Sequence, residues 1–253
     1  MCQNWLKFIS GKKPDMTLLF DDPIGRAVYD YHFKSINKPI IVHSDDFDDD
    51  TIDTAYLFRT YKQMPAIEKK AMTLCRGTVL DVGACAGAHS VYLQEKGFEL
   101  TAIETSELCC EVLKSRNVRN VVQQDIFKFS NQTFDTILLL MNGTGIAGTL
   151  SGLEVLLHHL KTLLNPGGQI LIDSSDLIYL YEQEDGSAVI DLNAENYYGE
   201  LSFQTEYENW TCQPFPWLYV DLNNLENAVE KNQLKLNKVI KGQHFDYLAQ
   251  ITT

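Results

Sequence analysis

The chain has 253 residues, 45% apolar and 22% charged, with a formal charge of −13. Such a length and composition suit one large α/β domain with a modest appendage and exclude a disordered chain. The acidic balance opposes nucleic-acid binding, which rests on Lys and Arg neutralising phosphates, and no stretch of about 18 apolar residues offers a membrane span.

In chain order, residues 1 to 75 lack a clear strand and helix rhythm and are read as an N-terminal helical cap. Their opening, MCQNWLKFISGKKPD, has no apolar run long enough for a signal peptide, so a cytoplasmic location is expected. The acidic run DDFDDD (45 to 50) is expected to be a solvated loop, because an EF-hand needs a glycine at its sixth position and none stands there. A helix is predicted from Met64 to Cys75, with Pro65 in its first turn. The cysteines (Cys2, Cys75, Cys85, Cys109, Cys110, Cys212) contain no C-x-x-C pair, and no His-Cys cluster accompanies them, so neither a disulfide framework nor a metal site is expected.

Residues 76 to 253 form the predicted main domain. From 77 to 175 strands and helices alternate with the short connections of βαβ units. Strands are predicted at TVLDVG (78 to 83), ELTAIE (99 to 104), NVVQQD (120 to 125), FDTILLLM (134 to 141) and QILIDSS (169 to 175). The helices between them carry end signals: Gly97 stops the first, Ser106 caps the second, and Asn165, Pro166 and Gly167 close the third. Continuously apolar strands fit a parallel sheet covered on both faces. Two more strands are predicted at 199 to 209 and 214 to 221, within an insertion of about residues 179 to 221. A helix at 223 to 233 and two strands joined near Gly242 end the chain. The fold class is therefore α/β: a doubly wound, Rossmann-like sheet of seven strands with an antiparallel last strand, an N-terminal helical cap and a β-hairpin insertion.

The stretch VLDVGACAGAHS (79 to 90) runs from a strand through a glycine turn into a helix, the place where doubly wound sheets bring backbone close to a ligand. Two templates compete. G-x-G-x-x-G/A fits Gly83 and Ala88, acid-x-G-x-G-x-G fits Asp81, Gly83 and Gly87, and both find Cys85 where a glycine belongs. A cysteine is small enough for close approach if its backbone does not demand positive φ, and no neighbouring base or cation marks it as a reactive thiol.

With its surroundings, this turn resembles the class I S-adenosylmethionine-dependent methyltransferases over roughly residues 77 to 253. The resemblance implies S-adenosylmethionine as cofactor. It sets Asp81, Gly83, Ala84, Cys85 and Gly87 against the methionine part, and Glu104, with Thr105 beside it, on the ribose hydroxyls. It further implies Asp125 on the adenine amino group with Ile126 beside the ring, and Asn142, Gly143 and Gly145 near the transferring methyl, with Met141 a further cofactor contact. Arg59 is a candidate partner of the cofactor carboxylate, with Tyr56 closing over it. An NAD(P)-dependent oxidoreductase stays open as an alternative, although the Y-x-x-x-K match, Tyr92 with Lys96, lies in the wrong helix for hydride chemistry. A catalytically inactive S-adenosylmethionine-binding protein stays open too.

The acceptor side is expected after the fourth strand, in LLLMNGTGIAG (138 to 148), where Asn142 is the catalytic candidate and Gly145 a substrate contact. Ser174, Asp176 and Tyr179 at the end of the fifth strand, and Trp217 in the insertion, are further substrate candidates. The acceptor is expected to be a small molecule, with neither nucleic acid nor membrane as partner. The aromatics Tyr207, Trp210, Phe215, Trp217 and Tyr219 suit a lid over it, or equally a contact with a second subunit in a homodimer. His89 follows the glycine turn and is read as a packing or capping residue.

Overall fold

The computed structural model describes residues 22–183, 187 and 196–253. Helix α1 (Pro23–Lys34) opens on Asp22, whose carboxylate accepts the Gly25 N–H at 2.8 Å, with Pro23 where no donor is needed. Strands β1 (Ile40–Ser44) and β2 (Asp50–Ile52) follow, then a 3-10 turn at Thr54–Phe58 and helix α2 (Ala66–Leu74). The alternating part comprises β3 (Val79–Val82), α3 (Ala88–Glu95), β4 (Leu100–Glu104), α4 (Glu107–Ser115), β5 (Val121–Gln123), β6 (Phe134–Leu139), α5 (Leu150–Thr162) and β7 (Leu164–Ser175). After these come β8 (Glu200–Tyr207), β9 (Trp210–Thr211), β10 (Phe215–Leu218), α6 (Leu222–Lys231), β11 (Lys235–Lys241) and β12 (Asp246–Thr252).

The central sheet has seven strands in the order β11-β12-β7-β6-β3-β4-β5. Strands β3 to β7 run parallel, and β12 is antiparallel to both its neighbours. Val79, Leu80, Ile137, Leu138 and Leu171 are fully buried, as a sheet with helices on both faces requires. Each such side chain contributes about 1.5–3 kcal/mol through the apolar area it removes from water.

Two expectations need correction. The third helix of the alternating part, α5, ends at Thr162 and does not reach Asn165-Pro166-Gly167, which instead form an irregular first part of β7. Pairing with β6 jumps there from Phe134–Leu164 to Thr136–Gln169, because Pro166 has no N–H and disfavours helix at the residue before it. The N-terminal cap is not simply helical either. Strands β1 and β2 join the insertion strands in a second sheet of order β10-β8-β1-β2, with β9 on β8. Cap and insertion are thus one layer, with its own core of Ala27, Val28, Ile40, Leu57 and Tyr207 reaching Cys109 and Val112 of α4. The DDFDDD run links β1 to β2 and is largely exposed, its last residue beginning β2. Part of the expected insertion, residues 184–186 and 188–195, lies outside the described residues.

Candidate active site

Strand β3 lies between β4 and β6, where the order of connections reverses, so the carboxyl ends of these strands open a crevice beside the glycine turn. Gly83 takes φ 69° and Gly87 φ 84°, and a Cβ on Gly83 would meet nothing nearer than Ile146 Cδ1 at 3.8 Å. The space before Gly83 is free. The Gly83 and Ala84 N–H groups donate to the Ile103 carbonyl at 3.0 and 3.2 Å, tying the turn to β4, and the Gly87 N–H closes it on the Ala84 carbonyl at 2.7 Å.

Cys85 does take positive φ, at 49°, so the condition under which a cysteine would sit there without strain is not met. Left-handed backbone costs a residue with a Cβ about 1–2 kcal/mol. A compensation is visible, since the Cys85 N–H donates to Glu104 Oε2 at 2.8 Å. Glu104 Oε1 accepts from the N–H groups of Thr105 at 2.7 Å and Ser106 at 3.0 Å. The Thr105 hydroxyl adds a longer contact to Oε1 at 3.3 Å, so the free acceptor site of this acid is on Oε2, where only Cys85 donates. Asp125, one strand over, accepts the Phe127 N–H at 3.0 Å through Oδ1 and leaves Oδ2 3.8 Å from Lys128 Nζ, with Ile126 buried beside it.

Asp81 is only 2% exposed and accepts the Ser90 hydroxyl at 2.5 Å, which joins β3 to α3. Burial pushes its carboxyl pKa up. Arg59 is also buried: its Nε donates to Glu68 Oε2 at 2.9 Å, Nη2 to Glu68 Oε1 at 2.8 Å, and Nη1 to the Tyr56 carbonyl at 3.0 Å. The Tyr56 ring lies over the guanidinium at 4.4 Å. His89 Nε2 stands 3.0 Å from Glu68 Oε2, which makes His89 part of an ionic cluster and not merely a packed ring. Glu68 escaped the sequence reading. Its signal lay in AIEKKAMTL, where it shares the buried face of α2 with Ile67, Ala71 and Met72.

On the acceptor side, Met141 and Asn142 both take positive φ, 67° and 57°. The carboxylate of Asp173 holds this turn, accepting the Met141 N–H at 3.2 Å and the Gly143 N–H at 2.8 Å. Burial pushes its pKa up to about 6. Sequence reasoning passed over Asp173 for its neighbour Ser174, and the structure reverses the choice. Ser174 is 2% exposed, donates to Asn142 Oδ1 at 3.1 Å and accepts from Thr144 Oγ1 at 2.7 Å and the Val220 N–H at 2.9 Å. A hydroxyl has one donor and two acceptor sites, so Ser174 has nothing left for a substrate. Asn142 is tied as well, its Nδ2 donating to the Leu218 carbonyl at 3.1 Å.

Gly145 and Trp217 are brought together, since a Cβ on Gly145 would lie 2.0 Å from the indole ring. Asp176 accepts the Tyr198 hydroxyl at 2.7 Å, and Tyr179 is exposed and stacks on Phe245 at 4.7 Å. Tyr207 is buried in the second layer and so is no lid face. A cavity of about 600 Å³ opens at the far end of the Gly143–Ala147 turn, lined among others by Asp45, Asp46, Gly148, Tyr181, Tyr198 and Phe215. Among the described residues no group of three or more His, Cys, Asp or Glu could hold a metal ion, and no helix is long and apolar enough to cross a membrane.

A family model described as a methyltransferase domain matches residues 50–239. A solved S-adenosylmethionine-dependent methyltransferase from Bacteroides fragilis, in complex with S-adenosyl-L-homocysteine, is 43% identical, with 92% of this chain and 95% of that chain covered and a TM-score of 0.85. The chain belongs to the S-adenosylmethionine-dependent methyltransferases. The methyltransferase CcbJ from Streptomyces caelestis (15% identity, 75% and 97% coverage, TM-score 0.58) shares its fold. So does an S-adenosylmethionine-dependent methyltransferase from Clostridium acetobutylicum (15%, 89% and 96%, TM-score 0.51). No curated protein matches the chain. S-adenosylmethionine is the cofactor of this methyltransferase, and the site fits it: bare space before Gly83, and acids at the ends of β4 and β5. When bound, it supplies the activated methyl group, and the protein's share is alignment and electrostatic setting.

Proposed function

We propose that this methyltransferase acts on a small-molecule acceptor held between the carboxyl edge of the seven-stranded sheet and the second layer. The observation that carries the reading is the cavity of about 600 Å³ beyond the Gly143–Ala147 turn. Small-ligand sites run from about 300 to 1,000 Å³ and combine apolar walls with a few polar groups, as the tyrosines, Phe215 and the two aspartates do here. With Asp45 and Asp46 in its wall, and no Lys or Arg among its described lining residues, the cavity repels an anionic acceptor. Gly145 in the turn and Trp217 of β10, packed together next to the lining residues Gly148 and Pro216, would form the acceptor's path towards the methyl.

On the cofactor side, Glu104 serves the ribose and Asp125 with Ile126 the adenine, while Arg59 under Tyr56 takes the methionine carboxylate. Asn142 acts at the methyl through the backbone turn that it and Asp173 hold. Incubating the protein with methyl-labelled S-adenosylmethionine and a fractionated cell extract tests the acceptor class. Label is expected in the small-molecule fraction, and label confined to protein or RNA would refute the reading.

A further inference from the structure

Arg59, Glu68 and His89 come from three different segments: the loop after the 3-10 turn, helix α2 and the first turn of α3. The Arg59 and Glu68 side chains are 2% and 4% exposed. Burying an ion pair yields little net stability, because the lost hydration offsets the attraction, so what this arrangement provides is orientation.

The proton and donor inventory shows what is oriented. Burial pushes the Glu68 pKa up, but hydrogen bonds from His89 and Arg59 outweigh it and hold the carboxyl below its usual value, so Glu68 is an acceptor only. The hydrogen between Glu68 Oε2 and His89 Nε2 therefore belongs to His89. That nitrogen cannot also accept, yet an Arg59 Nη2 N–H faces it at 3.4 Å. A guanidinium carries five N–H donors. Glu68 takes two, the Tyr56 carbonyl one and His89 stands before a fourth, which leaves one on Nη1. An N–H of a guanidinium makes a charge-assisted hydrogen bond to a carboxylate. Tyr56 covers a face of the same guanidinium, and His89 follows directly on Gly87 and Ala88 of the cofactor turn.

We infer that Glu68 is a positioning residue: clamping Arg59 and His89 at once, it aims the remaining Arg59 donor and sets affinity for the amino-acid end of the cofactor, leaving the nucleoside half untouched. The inference rests on the assignment of Arg59 to the methionine carboxylate. Its test compares two probes by calorimetry, S-adenosylhomocysteine, which has the amino-acid end, and 5′-methylthioadenosine, which lacks it. Wild type should bind the first more tightly. In Glu68→Gln, affinity for S-adenosylhomocysteine should drop about tenfold or more, as for a lost charge-assisted hydrogen bond, with 5′-methylthioadenosine changed less than about twofold. Equal losses for both probes, or no loss for either, overturn the positioning role. If wild type fails to discriminate the probes, the Arg59 assignment falls with it; if wild type discriminates and Glu68→Gln does so equally, only the role of Glu68 falls. Should Glu68→Gln not fold, as read by circular dichroism, Glu68→Asp carries the same comparison and the same expected outcome, because its carboxylate keeps the charge but, one methylene shorter, does not reach Arg59 and His89 at once.

Discussion

The two sheets of this methyltransferase are held by different kinds of contact. In the first, β3–β4, β4–β5 and β6–β7 are consecutive strands paired in parallel after a short chain excursion, and only β3–β6 closes over some 57 residues. The second sheet joins β1 to β8, where His43 meets Glu206 across 163 residues. Mostly local connections make the first sheet legible from residue order, whereas the second is assembled from segments far apart in the chain. The two meet where Asn142 donates to the Leu218 carbonyl at the end of β10 and the Val220 N–H donates to Ser174 at the end of β7.

The largest test of this division is Tyr207→Ala. Tyr207 is fully buried in the core of the second layer, and its loss should cost about 3–5 kcal/mol. Hydrogen exchange should show amides of β1 and β8 losing protection while those of β3, β6 and β7 keep theirs; uniform loss would mean that the two sheets form one cooperative unit.

Asp173 sharpens the comparison at the seam. Its folded pKa of about 6 stands above the unfolded value of about 3.9, so the stability it confers is full below the latter and lost as pH rises through the former. Asp173→Asn removes that dependence. Its cost, from denaturant melts, should therefore be larger near pH 4 than near pH 7, by about 3 kcal/mol at most. A pH-independent difference would place Asp173 in water.

Ser174 joins the two regions through Val220 and Asn142. Ser174→Ala leaves the Val220 N–H without its acceptor and should lower stability by about 1–3 kcal/mol, measurable in the same melts. The smallest effect belongs to Cys85. Cys85→Gly relieves the left-handed strain against the extra freedom of glycine in the unfolded chain, for a net gain of up to about 1 kcal/mol. Cys85→Val should go the other way, a branched side chain being the poorest occupant of that backbone region.

The seven-stranded sheet, its glycine turn and the acids ending two of its strands were readable from residue order, because apolar strands, caps and turn glycines are local signals that recur at fixed spacing. Glu68 and Asp173 were less visible: each is a carboxylate inside an apolar pattern, and only the fold says what it meets. Ser174 shows the converse, a hydroxyl well placed in the sequence yet fully engaged by Asn142, Thr144 and Val220. By itself, then, the order of residues determined the fold class, the cofactor turn and the family. Tertiary structure alone decided that cap and insertion form one layer, that Arg59 is shared with Glu68, and that Cys85 lies in left-handed backbone held by Glu104. The physical reason is common to all three: each depends on a partner in another element of the fold, and such a pairing leaves no periodic trace in either segment.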